Sequence, residues 1–122
     1  MKILVIEDIE LKYAAVRRAI MNSNKVLMKD ITRVKYLDDA IDCLKENKYD
    51  LVITDMEYPT STYGPLKDSG DDLIKYMKDE EIDSKIIVCS SLQYDYDDIL
   101  CVKYSDKTNW DIDISKFIKT NF

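Results

Sequence analysis

A chain of 122 residues suits one domain, and a hydrophobic share of 46% is enough for a single core. Twenty-four acidic against 18 basic side chains leave a net charge of −6 and no basic cluster, which argues against a nucleic-acid partner; no apolar run approaches about 18 residues, which argues against a membrane span. With no histidine, Ser-His-Asp and Cys-His catalysis and histidine-containing zinc sites are excluded, so any chemistry rests on carboxylates, hydroxyls, lysines and a hard cation.

In chain order, residues 2–6 read as a buried strand. The strand reaches acidic Glu7 too soon to be the apolar region of a secretory signal. A helix is predicted over about 9–22, capped by Asp8, with Leu11, Ala15, Val16, Ala19 and Ile20 facing inward. A second strand is placed near 29–34, followed by a helix capped by Asp38 with Ala40, Ile41 and Leu44 inward. Leu51, Val52 and Ile53 form the central strand, which ends at Thr54 and Asp55.

A long loop over 56–68 is punctuated by Pro59, Gly64 and Pro65. Ser69 then caps a third helix with Leu73, Ile74 and Met77 as its apolar face. Residues 85–89 are a fourth strand ending at Ser90 and Ser91, and 99–102 a fifth. The last helix begins near Trp110 and buries Ile114, Phe117 and Ile118. Cys43, Cys89 and Cys101 are far apart and odd in number, as expected of free buried thiols in a reducing cytosol, and the expected location is cytoplasmic.

Strands alternating with amphipathic stretches describe an α/β doubly wound fold with a parallel sheet. Such sheets bind ligands outside the carboxyl ends of their strands. Glu7 with Asp8, Asp55, Ser90 and Lys103 all fall at such ends. Clustered carboxylates repel one another unless a divalent cation joins them. Magnesium, which prefers oxygen ligands, could be held by Glu7, Asp8 and Asp55, with the backbone carbonyl of Glu57. A carboxylate can also attack phosphorus to give an aspartyl phosphate, if a metal, a lysine and a hydroxyl neutralise the phosphoryl oxygens. Asp55, ending the central strand, is the best nucleophile, with Lys103 and Ser90 as the neutralising groups. Taken singly, each residue also has a plain structural reading: Glu7 and Asp8 as helix caps, Asp55 as a turn residue, Lys103 as a solvated lysine.

Together these residues resemble the receiver domain of two-component response regulators. The matching pieces are ILVIED at 3–8, LVITDM at 51–56, SG at 69–70, IIVCSS at 86–91 and VK at 102–103. The resemblance spans essentially the whole chain. It implies a flavodoxin-like, five-stranded sheet in the order 2-1-3-4-5. It implies a phosphoacceptor at Asp55, magnesium ligands at Glu7, Asp8, Asp55 and the Glu57 carbonyl, a switch hydroxyl at Ser90 followed by small Ser91, and a phosphoryl-contacting lysine at Lys103. The implied donor is a phosphohistidine on a sensor histidine kinase or phosphotransfer protein.

Three features depart from the family. The loop after Asp55 is longer than usual, as a surface insertion or as a lid or partner surface. Only seven residues, Leu92 to Asp98, separate Ser91 from Ile99, whereas a parallel crossover takes a dozen or more. A seven-residue helix spans roughly 10 Å, whereas the same residues extended reach about 23–25 Å. The fourth helix is therefore expected to be missing or reduced to one turn. Leu100 stands where an aromatic residue is frequent, and Tyr104 follows the lysine where proline is usual; Tyr94 and Tyr96 are candidate substitute aromatics that no sequence signal assigns.

The leading expectation is a single-domain receiver over 1–122 with no effector domain, which signals by phosphorylation-dependent protein binding. It is a phosphoacceptor rather than an enzyme in the ordinary sense. One alternative is a degenerate receiver acting as a constitutive protein-interaction module. Another is a toprim-like magnesium-dependent nuclease using Glu7 with Asp55 and Glu57.

Overall fold

Two of the apolar runs, β1 (Ile3–Ile6) and β3 (Leu51–Thr54), are buried at every residue, as parallel strands covered on both faces must be. They are the middle of a five-stranded parallel sheet with β2 (Ile31–Val34), β6 (Lys85–Ser90) and β7 (Leu100–Lys103), in the order β2-β1-β3-β6-β7. A two-residue antiparallel ladder of β4 (Tyr58–Pro59) and β5 (Leu66–Lys67) lies within the connection after β3. With that ladder set aside, the strand order is the predicted 2-1-3-4-5 of a flavodoxin-like fold. The computed structural model describes residues 1–122. No helix is long and apolar enough to cross a membrane.

Helices cover both faces. α1 (Glu10–Met21) and α4 (Trp110–Asn121) lie on one, where Val16, Ala19, Ile20, Ile114 and Ile118 pack on Ile3, Val5, Ile53, Ile87, Cys89 and Val102. α2 (Leu37–Glu46) and α3 (Ser69–Asp79) lie on the other, where Leu37, Ala40, Leu44, Leu73 and Met77 pack on Leu4, Ile6 and Val52. Alternate residues of each strand serve alternate faces, the period-two rule of an extended chain.

No helix joins β6 to β7. Their register, Ile87 opposite Leu100 through Ser90 opposite Lys103, requires the chain to drop back only three strand positions. That is about 10 Å, which residues 91–99 cover without helical structure. Asp98 makes the re-entry with a left-handed φ of 66°, a conformation that short polar side chains tolerate better than most. The face a helix would cover is filled instead by Tyr94, Tyr96, Ile99 and Cys101, packed on Met56, Ile74 and Val88.

Several local expectations are corrected. The three predicted caps do not form: the residues flanking the helices are Ile9, Tyr36 and Asp68, none with a side-chain cap. Asp8 precedes the first, Asp38 sits inside the first turn of α2, and Ser69 is already helical. Leu11 is exposed, and Lys12 takes the inner position instead. Lys12 stands four, seven and eight residues before Val16, Ala19 and Ile20, on the same helical stripe, whereas Leu11 is about 100° off it. A single 3-10 turn, Met28–Asp30, takes up the first residues assigned to the second strand.

Candidate functional site: a carboxylate cluster around Lys12

The site begins with register. Ile6 of β1 lies opposite Thr54 of β3, so Glu7 and Asp55 leave the sheet at the same level. Asp55 N–H still donates to the Ile6 carbonyl at 3.1 Å, and Glu7 N–H to that of Val34 at 3.0 Å, which holds both stems rigidly. The consequence is a cluster: carboxylate oxygens of Glu7, Asp8 and Asp55 lie within 4.8 Å of one another. These three predicted residues come together at the carboxyl edge of the sheet.

A fourth member was not predicted. The Lys12 ammonium enters from α1, 2.8 Å from Glu7 Oε1 and 3.2 Å from Asp55 Oδ1, and donates to the Cys89 carbonyl at 2.8 Å. The ammonium thus makes two ion pairs and one hydrogen bond to backbone. The Tyr104 ring lies 5.5 Å from the nitrogen, within cation–π reach. Lys12 is 6% exposed and Glu7 2%. Burial pushes the Glu7 carboxyl above its usual range against the attraction of Lys12. Burial also disfavours the charge on Lys12, but Glu7 and Asp55 outweigh it and hold the ammonium above its usual range. The sequence signal was a lysine on the inner stripe of α1, four residues beyond Asp8.

The atoms left without partners mark where a ligand can act. Asp55 Oδ1 receives Lys12 and the Met56 N–H at 2.8 Å, whereas Oδ2 has no protein partner. The Asp8 carboxylate and the Glu57 carbonyl are likewise free of hydrogen bonds, although the Glu57 side chain is exposed and outside the cluster. Three carboxylates against one ammonium leave two negative charges, which one divalent cation balances. The donors are all oxygen, with Glu7 buried and Asp8 and Asp55 partly exposed, a set that fits magnesium with its retained waters.

Ser90 ends β6 in a buried position, with its Oγ accepting the Leu92 N–H at 3.2 Å, and Ser91 beside it is exposed. Lys103 is not brought into the cluster. On β7, Leu100, Val102 and Tyr104 face the α1/α4 side, whereas Cys101 faces Tyr94 and Tyr96. Lys103, opposite Ser90 in the parallel register, alternates to the same side as Cys101; its side chain is exposed and makes no ion pair. The peptide to Tyr104 is trans, as are all others.

The long loop is structured from below. Tyr58 is fully buried, its hydroxyl 3.0 Å from Thr54 Oγ1, and its carbonyl accepts the Ser69 hydroxyl. Gly70 N–H donates to the Met56 carbonyl at 3.0 Å. A Cβ at Gly70 would lie 2.6 Å from the Asp55 carbonyl oxygen and 2.7 Å from Met56 Cα, so glycine is what lets α3 meet the Asp55 loop. The loop also reaches α2, where Asp38 N–H donates to the Thr60 carbonyl at 2.9 Å. Tyr63 at its tip is completely exposed.

No family model matches the chain, and no curated protein matches it. Solved structures do. The receiver domain of Francisella response regulator 1452 superposes with a TM-score of 0.68 at 19% identity, over 98% of this chain and 96% of that one. A LuxR-family DNA-binding response regulator from Staphylococcus aureus gives 0.70 at 16%, over 99% and 98%. The isolated REC domain of RcsB from Salmonella enterica serovar Typhimurium gives 0.57 at 21%, over 77% of this chain; the match spans 64% of that one, less than two thirds of its length. The chain has the fold of response regulator receiver domains.

Proposed function

We propose that this protein is a phosphoacceptor receiver, in which Asp55 takes a phosphoryl group from a phosphohistidine donor and the output is phosphorylation-dependent protein binding. The observation that carries this reading is the convergence of the Glu7, Asp8 and Asp55 carboxylates, with Asp55 Oδ2 left without a protein partner. Asp55 Oδ2 forms a new bond to phosphorus as the bond from phosphorus to the donor's imidazole nitrogen breaks, and the imidazole keeps that electron pair. Oδ1 stays held by the Met56 N–H, which orients the carboxylate for attack. Glu7, Asp8, Asp55 and the Glu57 carbonyl would hold magnesium, whose charge would offset the repulsion between the attacking carboxylate and the phosphoryl group. The Ser90 hydroxyl, tied to Leu92 N–H at rest, turns toward the phosphoryl group when charge arrives and so couples the site to the β6–β7 connection.

In this reading the chain works as a receiver in the cytoplasm, with a sensor histidine kinase or phosphotransfer protein as donor. A constitutive interaction module is the second reading, favoured by the helix-free β6–β7 connection and by an Asp55 that already has a cation beside it. Nuclease chemistry has less support, because the Glu57 carboxylate lies outside the acidic cluster. Intact mass after incubation with acetyl phosphate and magnesium separates the first two. One added phosphoryl group on wild type, absent from Asp55→Asn and absent with EDTA, is expected. No gain on wild type would leave the constitutive module.

A further inference from the structure

We infer that Lys12, from the first helix, is the lysine that meets the transferred phosphoryl group, in the role that the family resemblance assigns to Lys103. The inference rests on the receiver reading and deepens it. The two lysines stand in opposite circumstances. Lys12 lies 3.2 Å from the acceptor carboxylate, is nearly buried, and is held on three sides by Glu7, Asp55 and the Cys89 carbonyl. Lys103 is exposed and makes no ion pair with any carboxylate.

The place beside Lys12 at the end of β7 is taken by Tyr104. Its ring covers the Lys12 ammonium at 5.5 Å and packs on Trp110 at 4.9 Å. Tyr104 N–H donates to the Ser90 carbonyl at 2.7 Å, which extends the β6–β7 ladder by one residue and fixes the ring over the site. The strand that would deliver a lysine therefore delivers an aromatic wall, and the positive charge comes from α1.

A built-in ammonium at this place has two consequences. At rest it neutralises part of the cluster, so it competes with a divalent cation for Glu7 and Asp55. Once phosphorus bonds to Asp55, the ammonium is already within hydrogen-bond distance of the acceptor and turns to a phosphoryl oxygen. Removal of Lys12 should therefore move two properties in opposite directions: magnesium binds more tightly while phosphoryl transfer slows. A lysine that merely held the fold together would, on removal, weaken both.

The test is a phosphorylation time course by intact mass, with acetyl phosphate, beside magnesium titration by calorimetry, on the full chain. Lys12→Met is expected to slow phosphorylation by about 100-fold, the scale of removing one aimed donor, and to bind magnesium several-fold more tightly. Lys103→Met is expected to match wild type in both. Lys103 is exposed, so that variant folds whether or not Lys12→Met does, and a tenfold or greater loss of rate in it overturns the proposal. Lys12→Met phosphorylated at the wild-type rate also overturns it, and in both cases the receiver reading survives. Wild type that takes no phosphoryl group removes the receiver reading and this proposal together.

Discussion

Among single residues, Cys89 reports most directly on how the site is closed. Its carbonyl holds Lys12, and its thiol lies in the core under α1 and α4. Burial pushes that thiol up to about 12, against the pull of Lys12. At pH 8 only ~1 in 10,000 molecules would carry the thiolate, the form that reacts. Native protein treated with iodoacetamide at pH 8 should therefore label Cys43 or Cys101 while Cys89 stays free until denaturant is added; prompt labelling of Cys89 would mean that this edge opens readily. Because the folded value is raised, the stability that the neutral thiol contributes is complete below the usual thiol range. It is lost as the pH climbs from there toward 12. Lys12 teaches a second lesson at this scale. The sequence reading sought apolar residues on the helix stripe and passed over a lysine lying on it. The stripe extends past the apolar core to the strand ends, where its last position meets carboxylates rather than side chains of the core.

At the scale of elements, the approach of α3 to the loop after Asp55 is set by one glycine. Gly70→Ala drives a methyl group into the Asp55 carbonyl, Met56 Cα and Met56 Sδ, and backbone cannot yield as a flexible side-chain tip can. The expected cost is about 1–3 kcal/mol in urea denaturation, as for other overpacked sites, together with slower phosphorylation because the acceptor loop shifts. Unchanged stability and rate would mean that α3 is free to move away. The Ser69-Gly70 pair was legible in the sequence as part of a resemblance, but its cause was not. A cap was expected of Ser69, whereas its hydroxyl ties the buried Tyr58 carbonyl, a contact made across 11 residues of loop. The missing fourth helix, by contrast, could be read from length alone, since seven residues cannot carry a helix back along a strand. The tyrosines that pack in its place could not be assigned, because their burial depends on which face of β7 each residue meets.

At the scale of the whole molecule, the sheet order and the position of the acidic cluster were both legible. The parallel α/β architecture and the cluster follow from local facts that agree, namely buried strands, alternating helices and acids at the strand ends, whereas the strand order came with the family resemblance. The β7 register, which sets Lys103 opposite Ser90, was not legible. A shift of one residue exchanges the faces of every side chain on a strand. Lys103 is exposed and unpaired, and Lys12 from α1 makes the ion pairs with Glu7 and Asp55. The ammonium beside Asp55 thus comes from the first helix.

The central claim is that Asp55 itself carries the phosphoryl group, and chemical mapping tests it most directly. Protein treated with acetyl phosphate and magnesium is reduced with borohydride, which converts an aspartyl phosphate to homoserine, and the position is read by peptide sequencing in a mass spectrometer. Homoserine at residue 55, and nowhere else, is the predicted result. Homoserine at Glu7's neighbour Asp8, or at no position in a protein that remains folded and binds magnesium, would contradict the account.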